Sequence, residues 1–237
     1  MKILILTLWC LVPVGLLAYH YGPGRELVTL DATALTLSEA QMKAGADDWK
    51  AAIAAYEQSL AQLPKDRVEE ARRIRLELAK ARMESDELPK AREELAALAD
   101  ELAQDPHAHA GLRDEALATL ATSRFYMTYL MKLEGLPDTE WEPEIEAARQ
   151  ERKLLVQRAT EAGDSAAAAL HADDLESAIR LARMEPEELY GKAIPKQCNC
   201  SSGKCANPGD KPGKKPGQKP KDSRSAGTGA PVDGEGS

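Results

Sequence analysis

The sequence predicts an all-α protein: about seven helices paired as antiparallel hairpins, followed by a long tail that does not fold. Three observations carry that expectation. Hydrophobic residues make up 43 % of the chain but aromatics only 4 %, with a single Phe, so a core must be built from Ala and Leu. Ala and Leu, like the abundant Glu, Lys and Arg, favour helix, whereas strands want β-branched and aromatic residues. Apolar residues recur at spacings of three and four from about residue 30 to 190, the period of one helical face, with no convincing alternation of period two. Gly, Pro and Asp punctuate this pattern as helix stops and starts do.

The chain opens on Met1-Lys2 and an apolar run from Ile3 to Ala18. As a helix that run would span about 24 Å, short of the ~30 Å hydrocarbon core of a bilayer. One positive charge, an apolar stretch and small residues near its end describe a secretory signal over residues 1–18, cut after Ala18. An uncleaved N-terminal anchor is the competing reading. Trp9 before Cys10 argues against a lipoprotein site. Residues 19–29, headed by Tyr19-His20-Tyr21-Gly22-Pro23-Gly24, are expected to form an extended leader. The protein is thus expected outside the cytoplasmic membrane, exported to a periplasmic or other extracytoplasmic space.

Helices are expected over residues 30–190. The first covers about Asp31 to Ala44 and ends at Gly45. The second starts at the Asp47-Asp48 caps, carries Trp49, Ile53, Tyr56, Leu60 and Leu63 on one stripe, and ends at Pro64. The third opens with Asp66-x-x-Glu69, a capping-box-like pair, and continues through Ile74, Leu78 and Ala81. The fourth begins near Ser85-Asp86, where Pro89 is tolerable only in a first turn, and carries Ala91, Leu95, Leu98 and Leu102 to Asp105-Pro106. A fifth covers Gly111 to Glu134 and is closed by Gly135. The sixth starts within Asp138–Pro143 and runs to Gly163. The seventh starts at Asp164 and ends before Pro186, with one further turn to Tyr190. Connections this short force antiparallel neighbours.

Within the second helix Ala52, Tyr56, Ser59 and Pro64 form a pattern: small residue, aromatic four on, small residue three further, closing Pro. Ala lets helices approach closely, the aromatic fills the gap between hairpins, and Pro ends the helix. That spacing resembles the tetratricopeptide repeat, a helix–turn–helix unit of about 34 residues. Trp49 and Ile53 sit where the family has apolar contacts. Upstream, Ala34, Leu37 and Ser38 take the apolar and small positions of the first helix. In a second unit Leu78-Ala79, Ala91, Leu95 and Leu98 fit, though Leu replaces the aromatic and Pro106 comes late. The resemblance covers about residues 30–106, and residues 107–190 share the helix-pair plan without the signature. It implies a right-handed solenoid of hairpins; a plain helical bundle is the alternative. It also implies Trp49, Ala52, Tyr56, Ser59, Pro64, Ala79, Ala91 and Leu95 as repeat-packing residues, and a protein or peptide partner.

Charge narrows the partners further. The net charge of −8 divides into +5 over residues 191–237 and −13 over the rest. A body so acidic repels nucleic acid, whose binding depends on phosphate neutralisation, so nucleic-acid partners are excluded. Membrane contact is expected only through an uncleaved N-terminus. Serine-nucleophile motifs, phosphate-cradling glycine loops and HExxH are absent from the sequence, so no catalytic residue, cofactor or resident metal is expected. His107 and His109 fall at a helix junction without a zinc-spaced ligand set. Carboxylates such as Asp47-Asp48 and Asp173-Asp174 sit among Lys and Arg at helical spacing, as on a solvated face.

The tail, residues 191–237, is rich in Gly, Pro, Lys and Ser, as in Lys211-Pro212-Gly213-Lys214-Lys215-Pro216-Gly217, and is expected to be disordered. It holds Cys198, Cys200 and Cys205; three cysteines in an oxidising compartment leave one unpaired, open to a disulfide link, thiol exchange or a soft metal.

Two stretches are candidate recognition surfaces. Arg73 and Lys80, on one face of the third helix, match groove-lining positions of the resembled family and would grip a partner carboxylate. Their alternative is ordinary i,i+4 pairing, Arg73 with Glu69 or Glu77 and Lys80 with Glu84. Phe125, Tyr126 and Tyr129 with Met127, Met131 and Trp141 form an aromatic cluster suited either to a core or to a binding hot spot. The function expected is a non-enzymatic scaffold or adaptor that binds another exported or membrane protein through its helical surface. The alternative is a thiol-redox or metal-handling protein acting through the Cys198–Cys205 tail.

Overall fold

Short connectors and amphipathic segments fold back on one another in chain order. The computed structural model describes residues 23–190, with Trp9, Val12 and Pro13 ahead of them; side chains are described from Leu30 on and at Val28. The helices are α1 (Pro23–Gly45), α2 (Trp49–Gln62), α3 (Val68–Met83), α4 (Leu88–Gln104), α5 (Ala110–Leu133), α6 (Asp138–Glu161), α7 (Ser165–Arg183) and the single turn α8 (Pro186–Leu189). Among the described residues there is no strand. Each helix from α1 to α6 packs on the next, and α5 also meets α3 and α8. The signal or anchor expected over residues 1–18 and the tail 191–237 lie outside the described residues.

Several boundaries follow from their caps. Asp48 caps α2 by accepting the Ala51 amide at 3.3 Å, and Asp164 caps α7 by accepting that of Ala167 at 2.9 Å. Pro89 lies in the first turn of α4, where it displaces no helical hydrogen bond. Gly135 and Gly163, at φ 73° and 75°, sit where α5 and α6 reverse. At each, the two amides that follow the helix return to its last carbonyls, as with Leu136 N–H to Met131 at 3.0 Å.

α1 ends in the same way but without a glycine at the turning residue. Asp48 N–H donates to Lys43 at 3.0 Å and Asp47 N–H to Ala44 at 3.1 Å, so Asp47 is the left-handed residue, at φ 59°. The expected stop, Gly45, is still helical. Asp47 also raises the Glu84 carboxyl pKa, an effect second to that of burial. Asp47→Gly is therefore expected to stabilise the fold by roughly 0.5–1 kcal/mol, because Gly enters this region without a Cβ penalty. Thermal melts followed by far-UV circular dichroism test it; a lower midpoint would count against a strained closure.

Three expectations need correction. α1 begins at Pro23, so residues 23–29 of the expected extended leader are helical. Pro suits a first helical turn, and Leu30, Thr33, Leu37, Ala40 and Ala44 then carry one stripe toward α2. Asp66 does not cap α3: the Arg67 amide bonds to Pro64 at 3.0 Å, closing a turn that contains Asp66, and helix begins only at Val68. In α1 the buried small residues are Thr33 and Ala40, whereas Ala34 and Ser38 are exposed.

The core comes in three parts along the chain. Ala40 of α1, Ala52, Ile53, Ala55 and Tyr56 of α2, and Ile74, Leu78 and Ala81 of α3 form the first, with Trp49 against it. Leu76, Ala79 and Met83 of α3 join Ala91, Leu95, Leu98 and Leu102 of α4 and Leu112, Ala116, Leu120 and Tyr126 of α5 in the second. Tyr129 of α5, Trp141 and Ile145 of α6, Ala178 and Leu181 of α7 and Leu189 of α8 form the third. α3 thus has two apolar faces, one toward α2 and one toward α4. Ala52, Ser59, Ala91 and Leu95 are wholly buried, as close helix approach requires, and the Ser59 hydroxyl is satisfied by Ala55 O at 2.9 Å.

Candidate functional site

α3 and α5 are the helices that sequence reasoning placed under the recognition residues, and the structure separates those residues by environment. Arg73 points outward, its side chain 59 % exposed and only loosely paired with Glu69 at 3.5 Å. Lys80 is largely covered and bound twice, to Glu77 at 2.8 Å and across to Glu115 of α5 at 2.5 Å. Its partners are therefore not the expected Glu84. Arg73 stays open to a ligand, but Lys80 fastens α3 to α5, so the two do not form one carboxylate clamp.

The aromatic cluster is interior. Tyr126, Tyr129 and Trp141 are buried and Phe125 is half-buried, packed edge-to-face on Tyr126 at 5.6 Å. Tyr126 belongs to the second core and Tyr129 with Trp141 to the third. The physical reason is the place of α5: α3, α4, α6 and α8 all pack on it, and no residue from Leu112 to Leu133 is exposed. Lys132, also buried, lies over the Trp141 ring at 3.7 Å, a cation–π contact. Burial holds its ammonium below the usual lysine range.

Ion pairs across helices are the polar features that the sequence did not reveal. Arg72 of α3 donates to Glu101 at 2.8 Å and Asp105 at 2.7 Å, and Arg75 to Glu101 at 2.6 Å. The bonds to Arg72 and Arg75 hold the Glu101 carboxyl below its ordinary range, and the bond to Arg72 does the same for Asp105. Buried Arg82 contacts Glu57 of α2 and Glu94 of α4, with Glu87 at 3.2 Å. Glu144 of α6 receives Arg92 of α4 and Arg124 of α5, each at 2.7 Å, and Arg124 also reaches Glu151 at 3.0 Å. Glu151 Oε2 is buried without a hydrogen-bond partner, and burial pushes this carboxyl up to about 7. Carboxylates expected on a solvated face are thus partly interhelical fasteners. Their partners lie on different helices, so no local spacing marked them.

One apolar surface was also missed, although its spacing was legible. Val28, Leu35 and Met42 of α1 are 66 %, 73 % and 66 % exposed. They recur every seven residues, nearly two helical turns, and so share one side of α1. That side is opposite Thr33, Leu37 and Ala40, which face α2. α3 shows what such a face is for in this fold, since its Ile74, Leu78 and Ala81 receive α2 while its opposite face receives α4. In α1 the face toward the following helix is filled, and among the described residues none covers the counterpart of the face that receives α2.

Among the described residues no group of three or more His, Cys, Asp or Glu side chains is placed to hold a metal ion, and no helix is long and apolar enough to cross a membrane. His107 and His109 are exposed. Cys198, Cys200 and Cys205 lie outside the described residues.

The model of the tetratricopeptide repeat family matches residues 43–115, which take in all of α2, α3 and α4. With the antiparallel hairpins and the buried Ala52, Tyr56 and Ser59, this makes the chain a tetratricopeptide-like helical repeat protein. Such repeats are protein-interaction modules, and they imply a protein partner. No curated protein and no solved structure matches the chain.

Proposed function

We propose that this protein is an exported, non-enzymatic scaffold that seats an amphipathic α-helix of another exported or membrane-associated protein against α1. The observation that carries this reading is the open Val28–Leu35–Met42 face. Repeat arrays bury each unit on its neighbours, and a terminal unit left in water needs a polar outer face. α1 instead offers solvent an apolar stripe where α3 takes a helix. The fitting ligand has an apolar stripe with small residues, as α2 has in Ala52, Ile53, Ala55 and Tyr56. Export rests on the Lys2–Ala18 segment.

Val28→Lys, Leu35→Lys and Met42→Lys combined should weaken capture of the partner from membrane extracts at least about tenfold, since each apolar side chain buried contributes roughly 1.5–3 kcal/mol. The helical circular-dichroism spectrum should stay unchanged. Capture that survives the triple substitution in a folded protein would remove α1 as the seat. The three tail cysteines sustain a second reading, thiol-redox or metal handling through Cys198–Cys205. Deleting residues 191–237 separates the two: the scaffold keeps its partner, whereas a tail-centred protein loses its activity.

A further inference from the structure

α7 is attached unevenly. Its buried residues are Ala178 and Leu181, both in the C-terminal half and both in the third core. The N-terminal half, Ser165 to Asp174, contains no buried residue, and its His171 and Asp174 make polar contacts with Arg152 of α6. Buried Arg152 reaches Asp174 Oδ2 at 3.0 Å, His171 Nδ1 at 3.1 Å and, on α5, the Thr122 hydroxyl at 2.5 Å. A guanidinium has donors and no acceptor. Nδ1 of His171 must therefore accept, which puts the ring's proton on Nε2 and leaves the imidazole neutral.

We propose that His171 is an acid-sensitive fastener: its protonation releases the N-terminal half of α7 from α6, while Ala178 and Leu181 keep the rest seated. A protonated ring turns an N–H toward the Arg152 N–H and sets two cations side by side in a half-buried place. The groups facing His171 are Arg152 of α6, Asp114 of α5, and Asp164 and Asp174 at and within α7. Burial first, then Arg152, hold the imidazole below its usual range, and the three aspartates pull the other way without reversing it. Asp114 is also engaged by Arg158 at 2.7 Å. The folded state binds fewer protons at His171 than the unfolded chain. This contribution to stability is thus present above the ordinary imidazole value of about 6.5 and is lost as pH falls from there through the lower folded-state value.

Glu151 titrates in the opposite sense. Its carboxyl, raised to about 7, takes a proton more readily when folded, so acid favours that site. A global melt would mix the two, and the readout has to be local to α7. Hydrogen exchange on the full chain at pH 7.5 and pH 5, corrected for intrinsic rates, provides it. The Ser165–Asp174 amides should lose protection relative to those of α3, by up to about tenfold for each pH unit separating the folded and free imidazole values. His171→Gln, whose amide oxygen accepts from Arg152 at any pH, should abolish that loss. Equal protection at both pH values would overturn the proposal, as would acid loosening that persists in His171→Gln. NMR titration of the unmodified protein decides independently of that variant. His171 should show the Nε2–H tautomer and titrate below the ordinary imidazole value of about 6.5, and a value at or above that would also overturn the proposal.

Discussion

Tyr56→Ala is expected to destabilise the fold by about 3–5 kcal/mol, the range for removing a buried aromatic ring. Tyr56 is 2 % exposed, and its ring fills the space between α1–α2 and α3 that Ala52 and Ser59 leave open. Ala40, Ala52 and Ala81 beside it are too small to fill the void, so Ile53, Ile74 and Leu78 would have to shift to close it. Chemical denaturation followed by far-UV circular dichroism measures the loss. Tyr56→Phe is the control and should cost under about 1.5 kcal/mol, since the ring and nearly all of its volume are retained. Burial, and secondarily the Glu77 charge, push the phenol up to about 12, so it stays neutral through the pH range in which the protein is handled. A Tyr56→Ala cost below 1 kcal/mol would show that the ring is not the wedge between the hairpins.

The second large effect is electrostatic. Arg82 is 3 % exposed and draws together Glu57, Glu87 and Glu94 from both sides of α3. Breaking a buried pair by removing one partner costs about 3–5 kcal/mol, because charge is left uncompensated. Here the three carboxylates are 51 %, 39 % and 39 % exposed, and water screens part of what they lose. Arg82→Ala is accordingly expected to cost about 2–3 kcal/mol at low ionic strength. Added salt should narrow the gap to the parent by screening the stranded carboxylates. A penalty that is small, or that salt leaves unchanged, would mean Arg82 acts through its alkyl stem alone. Arg82→Met keeps that stem and distinguishes the two contributions.

Both residues bear on what was legible beforehand. Tyr56 was, because its role is written in local spacing: a small residue four before it, another three after it, and Pro64 to end the helix. Arg82 was not. Its partners lie on α2, in the α3–α4 connector and on α4, and nothing in the neighbouring sequence distinguishes it from Arg73, which remains in water. The aromatic residues show the same limit from the apolar side. Phe125, Tyr126 and Tyr129 have the composition of a hot spot or of a core, and the helices that pack around α5 decide for the core. The open face of α1 is the reverse case, since Val28, Leu35 and Met42 carry the spacing of a buried stripe and have nothing described against them.

The sequence by itself determined the class and the punctuation of this protein. Ala- and Leu-rich helical periodicity, the Asp48 and Asp164 caps, Pro89, Gly135 and Gly163 act within a turn or two of where they stand, so a linear reading recovers them. The Ala52–Pro64 pattern likewise identifies a tetratricopeptide-like unit, because one helix contains all of it. Only the tertiary structure decided the start of α1 at Pro23, the interior place of Tyr126, Tyr129 and Trp141, the fastening of Lys80 to Glu115, and the meeting of Arg152 with His171. Each of these depends on which helix lies opposite. That is set by the packing of several apolar faces at once, and no single stretch of chain encodes it.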